Sequence, residues 1–208
     1  MSARVDHFPP VRLAAPPTFA AGKAGWRAIC EQLGRARPAA VRTRHAARLA
    51  EVGAALADGR SIAALYAPIG TEVDSRPLAN ALLVAGLRLG YPRLLGPDGA
   101  MEMGESAGPA ALRARPRSRL LEPEGPAIPA EAIDLVFVPA LGVDGALRRL
   151  GRAGGYYDRW LATLRPEALV VMVTPAACVL PWGAAEAHDR AGHLVLTEDG
   201  AFTAAETP

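Results

Sequence analysis

At 208 residues, half of them hydrophobic, the chain is long enough to bury a substantial core and fits a soluble globular protein. A formal net charge of +2 leaves no strong overall field for a nucleic acid or an anionic membrane, so any phosphate site must be local. No run approaches the roughly 18 apolar residues of a membrane span, and prolines interrupt the start, MSARVDHFPPVRLAAPP, where a signal peptide carries its apolar stretch; the expectation is a cytoplasmic protein.

Residues 1–20 hold four prolines and little periodicity, which predicts an extended or disordered arm. From 21 to 36, Trp26, Ile29, Cys30 and Leu33 recur at helical spacing, with Lys23 and Arg27 one turn apart on a neighbouring face. Lys23 is the only lysine among 23 basic residues; a compact ammonium on a flexible stem reaches a phosphate as a point charge. A second helix follows Pro38 and stops at Asp58-Gly59; His45 on this arginine-rich helix is expected at the surface. SIAALYAP (61–68) reads as a buried strand. The next segment, DSRPLANALLVAGLRLG, reads as a helix capped by Asp74 or Ser75, with Pro77 in its first turn and Gly90 past its end.

Residues 91–105 suggest a strand, a Pro97-Asp98-Gly99 turn and a second extended piece, whereas 106–132 reads as a long surface loop or flap. Arg113, Arg115, Arg117 and Arg119 in that loop have no interleaved aromatic to stack on bases, and Glu122 and Glu124 follow; a solvated loop is expected rather than an RNA site. IDLVFVP, EALVVMVTP and HLVLTE are further buried strands, with the helix YYDRWLATL between the first two. Apolar strands alternating with helices predict an α/β fold, a mostly parallel sheet covered by helices on both faces in three layers, preceded by a helical segment. Cys30 and Cys178 lack metal-type spacing and read as reduced, buried thiols.

The stretch RLGRAGGYYD, Arg149 to Asp158, lies after strand 133–139 and opens a helix. Ligands of open α/β sheets sit beyond the carboxyl ends of strands, and glycines let backbone N–H groups approach phosphate oxygens. Arg149 and Arg152 add positive charge, and Asp158 could hold Mg²⁺ directly or through water. The loop is neither a P-loop nor a GxGxxG fingerprint, so the residues alone leave a phosphate site and a structural turn equally open.

The run PALGVDGALRRLGRAGGYYDRWL (139–161) resembles the signature of the 5-formyltetrahydrofolate cyclo-ligase family, roughly P-G-x-A-F-D-x-x-G-x-R-L-G-x-G-x-G-Y-Y-D. Pro139, Asp144, Arg149, Leu150, Gly151, Gly155, Tyr156, Tyr157 and Asp158 match in register. Residues 64–93 are similar to the family's strand, acidic turn, helix and following Pro-Arg; Leu121-Glu122-Pro123 and His188-Asp189 with the strand after them are similar to later segments, and Lys23 and Arg27 fit the basic pair of its first helix. The likeness extends from about Lys23 to Gly200. Departures are Ala153 and Leu147 at motif glycines, Val143 for phenylalanine, three extra residues after Leu180-Pro181, and no match for a glutamine and a tryptophan.

The resemblance implies an enzyme that closes 5-formyltetrahydrofolate to 5,10-methenyltetrahydrofolate with ATP and Mg²⁺, releasing ADP and phosphate. Its partners would be ATP and a reduced folate, with no nucleic acid or membrane, acting as a monomer or dimer. It implies ATP contacts from Lys23, Arg27 and the loop Arg149, Leu150, Gly151, Arg152, Ala153, Gly154, Gly155, Tyr156 and Tyr157. Arg149 and Tyr157 are the catalytic candidates, Glu72 and Tyr157 the folate contacts, and Asp158 and Asp189 the metal groups. The expected organisation is an arm over 1–20, one cyclo-ligase-like domain over 21–200 and a tail over 201–208. A divergent member that binds nucleotide or folate without turnover is the second reading.

Overall fold

The computed structural model describes residues 8–10, 22–96, 100–116, 120–152, 154–180 and 190–204. The helices α1 (Lys23–Ala36) and α2 (Ala39–Leu56) come first, separated by Arg37 and by Pro38, whose fixed φ sets the entry to α2. Strand β1 (Ile62–Ala64) then leads to α3 (Arg76–Val84), and β2 (Arg88–Leu94) is joined in antiparallel register to β3 (Met101–Ser106). Short strands β4 (Arg113–Ala114), β5 (Leu121–Glu122) and β6 (Ala127–Ile128) follow, then β7 (Leu135–Pro139) and the hairpin strands β8 (Gly142–Val143) and β9 (Arg149–Leu150). Helix α4 (Tyr156–Leu161), β10 (Leu169–Val173), β11 (Leu194–Thr197) and β12 (Gly200–Phe202) complete the order.

Eight strands form one sheet in the order β12-β11-β10-β7-β1-β2-β3-β6. The five central strands β11, β10, β7, β1 and β2 are parallel, and the antiparallel strands β12, β3 and β6 lie at the margins. This is the expected α/β fold. In β7 and β10 the period of two sorts side chains cleanly. Leu135, Phe137, Leu169 and Val171 meet Leu49, Leu56, Leu78 and Leu82 of α2 and α3, while Val136, Val138, Val170 and Met172 meet Trp160 and Leu161 of α4. Both faces are therefore covered, which is why these strands read as unbroken apolar runs.

Several elements depart from the sequence reading. Helix α3 stops at Val84, and Gly86 rather than Gly90 ends it: at φ +85 it sits where a left-handed residue is needed, Gly86 N–H donates to Leu83 and Leu87 N–H to Leu82, and β2 starts at Arg88. Ser75 stands at the N-cap of α3, yet its hydroxyl donates to the Tyr66 carbonyl, and the Arg76 N–H goes to Asp74 instead. Segment 106–132 is not a plain loop, because it contains the β4–β5 pair and the edge strand β6. Its Arg113 donates to the Ala110 and Leu112 carbonyls, and Arg115 lies 3.8 Å from Glu124; Arg117 and Arg119 lie outside the described residues.

His45 is a plain correction: it is fully buried rather than at the surface. Its Nε2–H faces the Leu196 carbonyl at 3.3 Å, which leaves Nδ1 to accept from Arg37 at 3.4 Å, with a Glu198 oxygen 3.3 Å away. Burial, reinforced by Arg37 and opposed by Glu198, holds the imidazole down to about 4, so it is neutral at neutral pH. At the chain ends, β12 continues to Phe202, and Thr203 accepts an N-terminal neighbour: its N–H donates to the Pro9 carbonyl while Phe8 packs on the core. Among the described residues no helix is long and apolar enough to cross a membrane.

Candidate functional site

The carboxyl ends of the parallel strands share one edge of the sheet. Strands β1 and β7 are neighbours there, but the chain leaves β1 toward β2 on one side and leaves β7 toward β10 on the other. Their following loops are consequently forced apart and leave a crevice, the usual ligand position in such sheets. A cleft of about 390 Å³ occupies it. Tyr66, Ile69 and Glu72 line it from the segment after β1, Arg149, Gly151, Arg152, Tyr156 and Tyr157 from the segment after β7, and Pro92, Leu94 and Met101 from β2 and β3.

The motif loop is built from its own turn upward. Asp144, almost fully buried, accepts the Ala146 and Arg148 N–H groups through Oδ1 and the Arg148 side chain through Oδ2, closing the β8–β9 hairpin. Leu147 at its tip has φ +56, the one non-glycine positive φ among the described residues, where the family signature has glycine. Its side chain is wholly buried, so packing holds it in a left-handed conformation that ordinarily costs about 1–2 kcal/mol.

Arg149, only 7% exposed, is fixed from three sides. Its Nε and Nη2 donate to the two oxygens of Asp158 at 3.3 and 2.9 Å, and its guanidinium lies 5.4 Å from the centre of the Tyr157 ring. Gly151 leaves room beside it: a Cβ there would stand 2.5 Å from Arg149 Nη1, so the guanidinium would have to shift. The Gly151 carbonyl accepts Arg27 Nε at 2.8 Å, which docks α1 on the loop. Gly154 and Gly155 continue at φ +94 and +62, and Arg159 donates to the Gly154 carbonyl while lying 5.7 Å from the Tyr156 ring.

Glu72 faces the loop across the cleft. Its Oε2 accepts the Ile69 N–H at 2.9 Å and its Oε1 accepts Arg152 Nε at 3.2 Å. Burial raises this carboxyl above the usual carboxylate range, opposed in part by the Ile69 N–H and Arg152. The Tyr157 hydroxyl is buried with no hydrogen-bond partner among the described residues, and burial drives its pKa far up, leaving a neutral phenol able to donate.

Of the expected site residues, Glu72, Arg149, Gly151, Arg152, Tyr156 and Tyr157 line the cleft; Arg27 bonds the Gly151 carbonyl, Asp158 bonds Arg149, and Gly154 and Gly155 follow in the same loop, with Lys23 one turn before Arg27. Leu150 is in this loop, but its side chain packs under α1 with Trp26 and Cys30 and can offer a ligand only backbone. Ala153 and Asp189 lie outside the described residues. Helix α4 is six residues, shorter than YYDRWLATL, so glycine backbone and arginines rather than a long helix carry any affinity for phosphate here.

Glu31 was missed by sequence reasoning. It continues the Lys23–Arg27 row at i+4 and holds Arg152 Nη1 at 3.1 Å, a signal legible only in that spacing. The two thiols are free and buried as expected; they meet beneath α1, where the Cys178 thiol lies 3.8 Å from the Cys30 carbonyl. Among the described residues no group of three or more His, Cys, Asp or Glu is gathered as a protein-made metal cage.

Fold and cleft define a class: a three-layer α/β protein with a cleft at the switch point of a mostly parallel sheet. The chain belongs to the 5-formyltetrahydrofolate cyclo-ligase family, whose model matches residues 26–181. It is 37% identical over 145 residues to the 5-formyltetrahydrofolate cyclo-ligase of Mycolicibacterium smegmatis, a match spanning 67% of this chain and 74% of that relative. Its fold is similar to the solution structure of the Aquifex aeolicus 5,10-methenyltetrahydrofolate synthetase, with a TM-score of 0.74 at 24% identity over 89% of this chain and 94% of the other. It is also similar to the 5,10-methenyltetrahydrofolate synthetase of Mycoplasma pneumoniae, with a TM-score of 0.70 at 19% identity over 85% and 98% of the two chains.

Proposed function

We propose that this protein cyclises 5-formyltetrahydrofolate to 5,10-methenyltetrahydrofolate, consuming ATP and releasing ADP and phosphate. The observation that carries the reading is the shared cleft: Glu72 and the loop from Arg149 to Tyr157 line one apolar crevice, although about 80 residues separate them in sequence. A reduced pterin presents adjacent N–H donors, which a buried carboxylate accepts in pairs, and Tyr66, Ile69, Leu94 and Met101 supply apolar walls for its ring system. The formyl group then lies toward Tyr157, whose unpartnered hydroxyl donates to the formyl oxygen.

An amide-like formyl oxygen is a poor leaving group. It attacks the γ-phosphorus of ATP, ADP departs, and N10 adds to the resulting iminium phosphate carbon; N10 loses its proton and the C–O bond breaks to release phosphate. Phosphoryl transfer of this kind asks the protein for positioning and charge neutralisation more than for covalent chemistry. Lys23, Arg27, Arg149 and Arg152 supply the charge, and the glycine backbone of the loop supplies close N–H donors. In this reading Arg149, held rigid by Asp158, meets the transferring phosphoryl group.

Asp158 fits Mg²⁺: its side chain is 26% exposed, and a carboxylate that accepts two arginine N–H groups retains further lone pairs. Bound with the nucleotide, Mg²⁺ would be held mainly by phosphate oxygens and one such carboxylate, with Asp189 as the second candidate, and would neutralise phosphate charge. Mixing the protein with Mg-ATP and 5-formyltetrahydrofolate and following the absorbance of the methenyl product tests the proposal. Product formation that needs both substrates bears it out; binding of either without product moves the chain to the non-catalytic reading.

A further inference from the structure

Arg152 stands between the two proposed substrate sites and is engaged on both sides. Its guanidinium reaches Glu72 Oε1 at 3.2 Å, Glu31 Oε1 at 3.1 Å, the Thr71 hydroxyl at 3.3 Å and the Ile69 carbonyl at 3.4 Å. The second oxygen of Glu72 already accepts the Ile69 N–H at 2.9 Å. In the ligand-free protein each oxygen of the cleft's buried carboxylate thus already accepts one hydrogen bond, Oε1 from Arg152 and Oε2 from Ile69. A guanidinium edge and a pterin edge offer a carboxylate the same thing, paired N–H donors, so the two compete for Glu72.

Arg152 is also part of the motif loop, one residue from Gly151, whose carbonyl α1 holds through Arg27. All three Arg152 nitrogens are already engaged, Nε with Glu72, Nη1 with Glu31 and Nη2 with Ile69 and Thr71, so a nucleotide phosphate that takes the fork draws it from these partners. Phosphates at the loop offer Arg152 a stronger partner, carrying more charge than a carboxylate whose other oxygen is already bonded. Its side chain is 31% exposed and so can swing, whereas Glu72, at 11%, is held by its own backbone neighbour.

We infer that Arg152 is an interlock: it covers Glu72 until nucleotide phosphates draw it to the loop, so that binding ATP uncovers the carboxylate that receives the folate. Linkage makes the effect reciprocal, and folate that displaces Arg152 leaves it available to phosphate. The residue is thus a positioning and coupling group as well as a phosphate contact. The inference rests on the folate reading of Glu72 given above, and the test separates the two.

The affinity for 5-formyltetrahydrofolate is measured by calorimetry at pH 8, with and without Mg²⁺ and a non-hydrolysable ATP analogue, in the unmutated protein and in Arg152→Gln and Glu72→Gln. The unmutated protein is expected to bind folate at least about fivefold tighter with the analogue, the lower end of ordinary coupling. Arg152→Gln is expected to bind folate alone more tightly than the unmutated protein does, and to respond to the analogue by less than about twofold. If Arg152→Gln does not fold, Arg152→Lys carries the comparison: a single ammonium cannot span Glu31 and Glu72 as the fork does, and the coupling falls. Equal coupling with and without the arginine, or none in the unmutated protein, overturns the interlock. Should Glu72→Gln leave folate affinity unchanged, the folate reading of Glu72 falls and the interlock with it; weaker folate binding in that variant with unaltered coupling in the Arg152 variant removes the interlock alone.

Discussion

Arg149 and Asp158 face each other as a two-point fork, Nε to Oδ1 at 3.3 Å and Nη2 to Oδ2 at 2.9 Å, so the last residue of the motif aims the first. Asp158→Asn keeps one acceptor oxygen but breaks the paired geometry and removes the charge. Arg149 is nearly buried, so the expected cost is about 2 kcal/mol of stability. Turnover is expected to fall by about 10² or more, with the affinity for 5-formyltetrahydrofolate preserved. Melting temperature, folate affinity and methenyl formation on one preparation check this. Normal turnover with a loss of only about 0.3–1 kcal/mol would reduce Asp158 to a helix-start residue.

Tyr157→Phe separates chemistry from packing. Among the described residues the hydroxyl is buried without a partner, so deleting it sacrifices no hydrogen bond to them and removes an unsatisfied group. The melting temperature is expected to hold or rise, while turnover falls by roughly 10–100-fold if the phenol donates to the formyl oxygen. A variant with unchanged turnover shows that the ring, and not the hydroxyl, is what the cleft needs.

Leu147 poses a contest of two effects. Glycine at φ +56 relieves about 1–2 kcal/mol of strain, but removing a fully buried leucine side chain costs about 3–5 kcal/mol. Packing wins, so Leu147→Gly is expected to lower stability by about 1–4 kcal/mol even though it restores the family's residue. Urea unfolding at fixed pH reads the difference, and a stabilised variant would show that strain dominates.

The nucleotide side is tested by Lys23→Ala. If the ammonium meets phosphate, ATP affinity drops while folate affinity stays within about twofold, and Lys23→Arg recovers only part, since a planar fork does not reproduce a compact charge. Calorimetry with each ligand separately decides; equal ATP affinity in the alanine variant removes Lys23 from the site.

His45 predicts a pH dependence of stability. Its folded value, about 4, lies below the unfolded 6.5, so the unfolded state binds the proton more readily. Its effect is absent above the unfolded value and grows as pH falls from about 6.5 toward 4, with a slope of up to about 1.4 kcal/mol per pH unit. Urea midpoints at pH 8, 6 and 5 are expected to fall over that window, and His45→Gln to flatten the fall while losing stability at pH 8 with the buried contacts to Leu196 and Arg37. An equal slope in both proteins assigns the acid sensitivity to other groups.

What the chain states locally, it states well. The apolar runs of β7, β10 and β11 are buried on both faces, so no polar alternation blurs them, and the order Arg149, Gly151, Tyr157, Asp158 is a property of the chain itself. Helix α3 was legible but not its end, because Gly86 and Gly90 both suit a left-handed stop and only the pairing of Arg88 with Ile62 selects the first.

Contacts between distant residues depend on which strands become neighbours, and no local pattern records that. Glu72 meets Arg152 because β1 and β7 pair in parallel, which sets their following loops on one edge. His45 looked like a surface residue on an arginine-rich helix; it is buried because that face of α2 lies on the end of β11, where Leu196 and Glu198 wait. Strand β6 exists only because β3 offers it an edge to pair with. Helical and extended periods are written in successive residues, whereas burial and ion pairing across 80 or 150 positions follow from sheet order, which long-range packing selects.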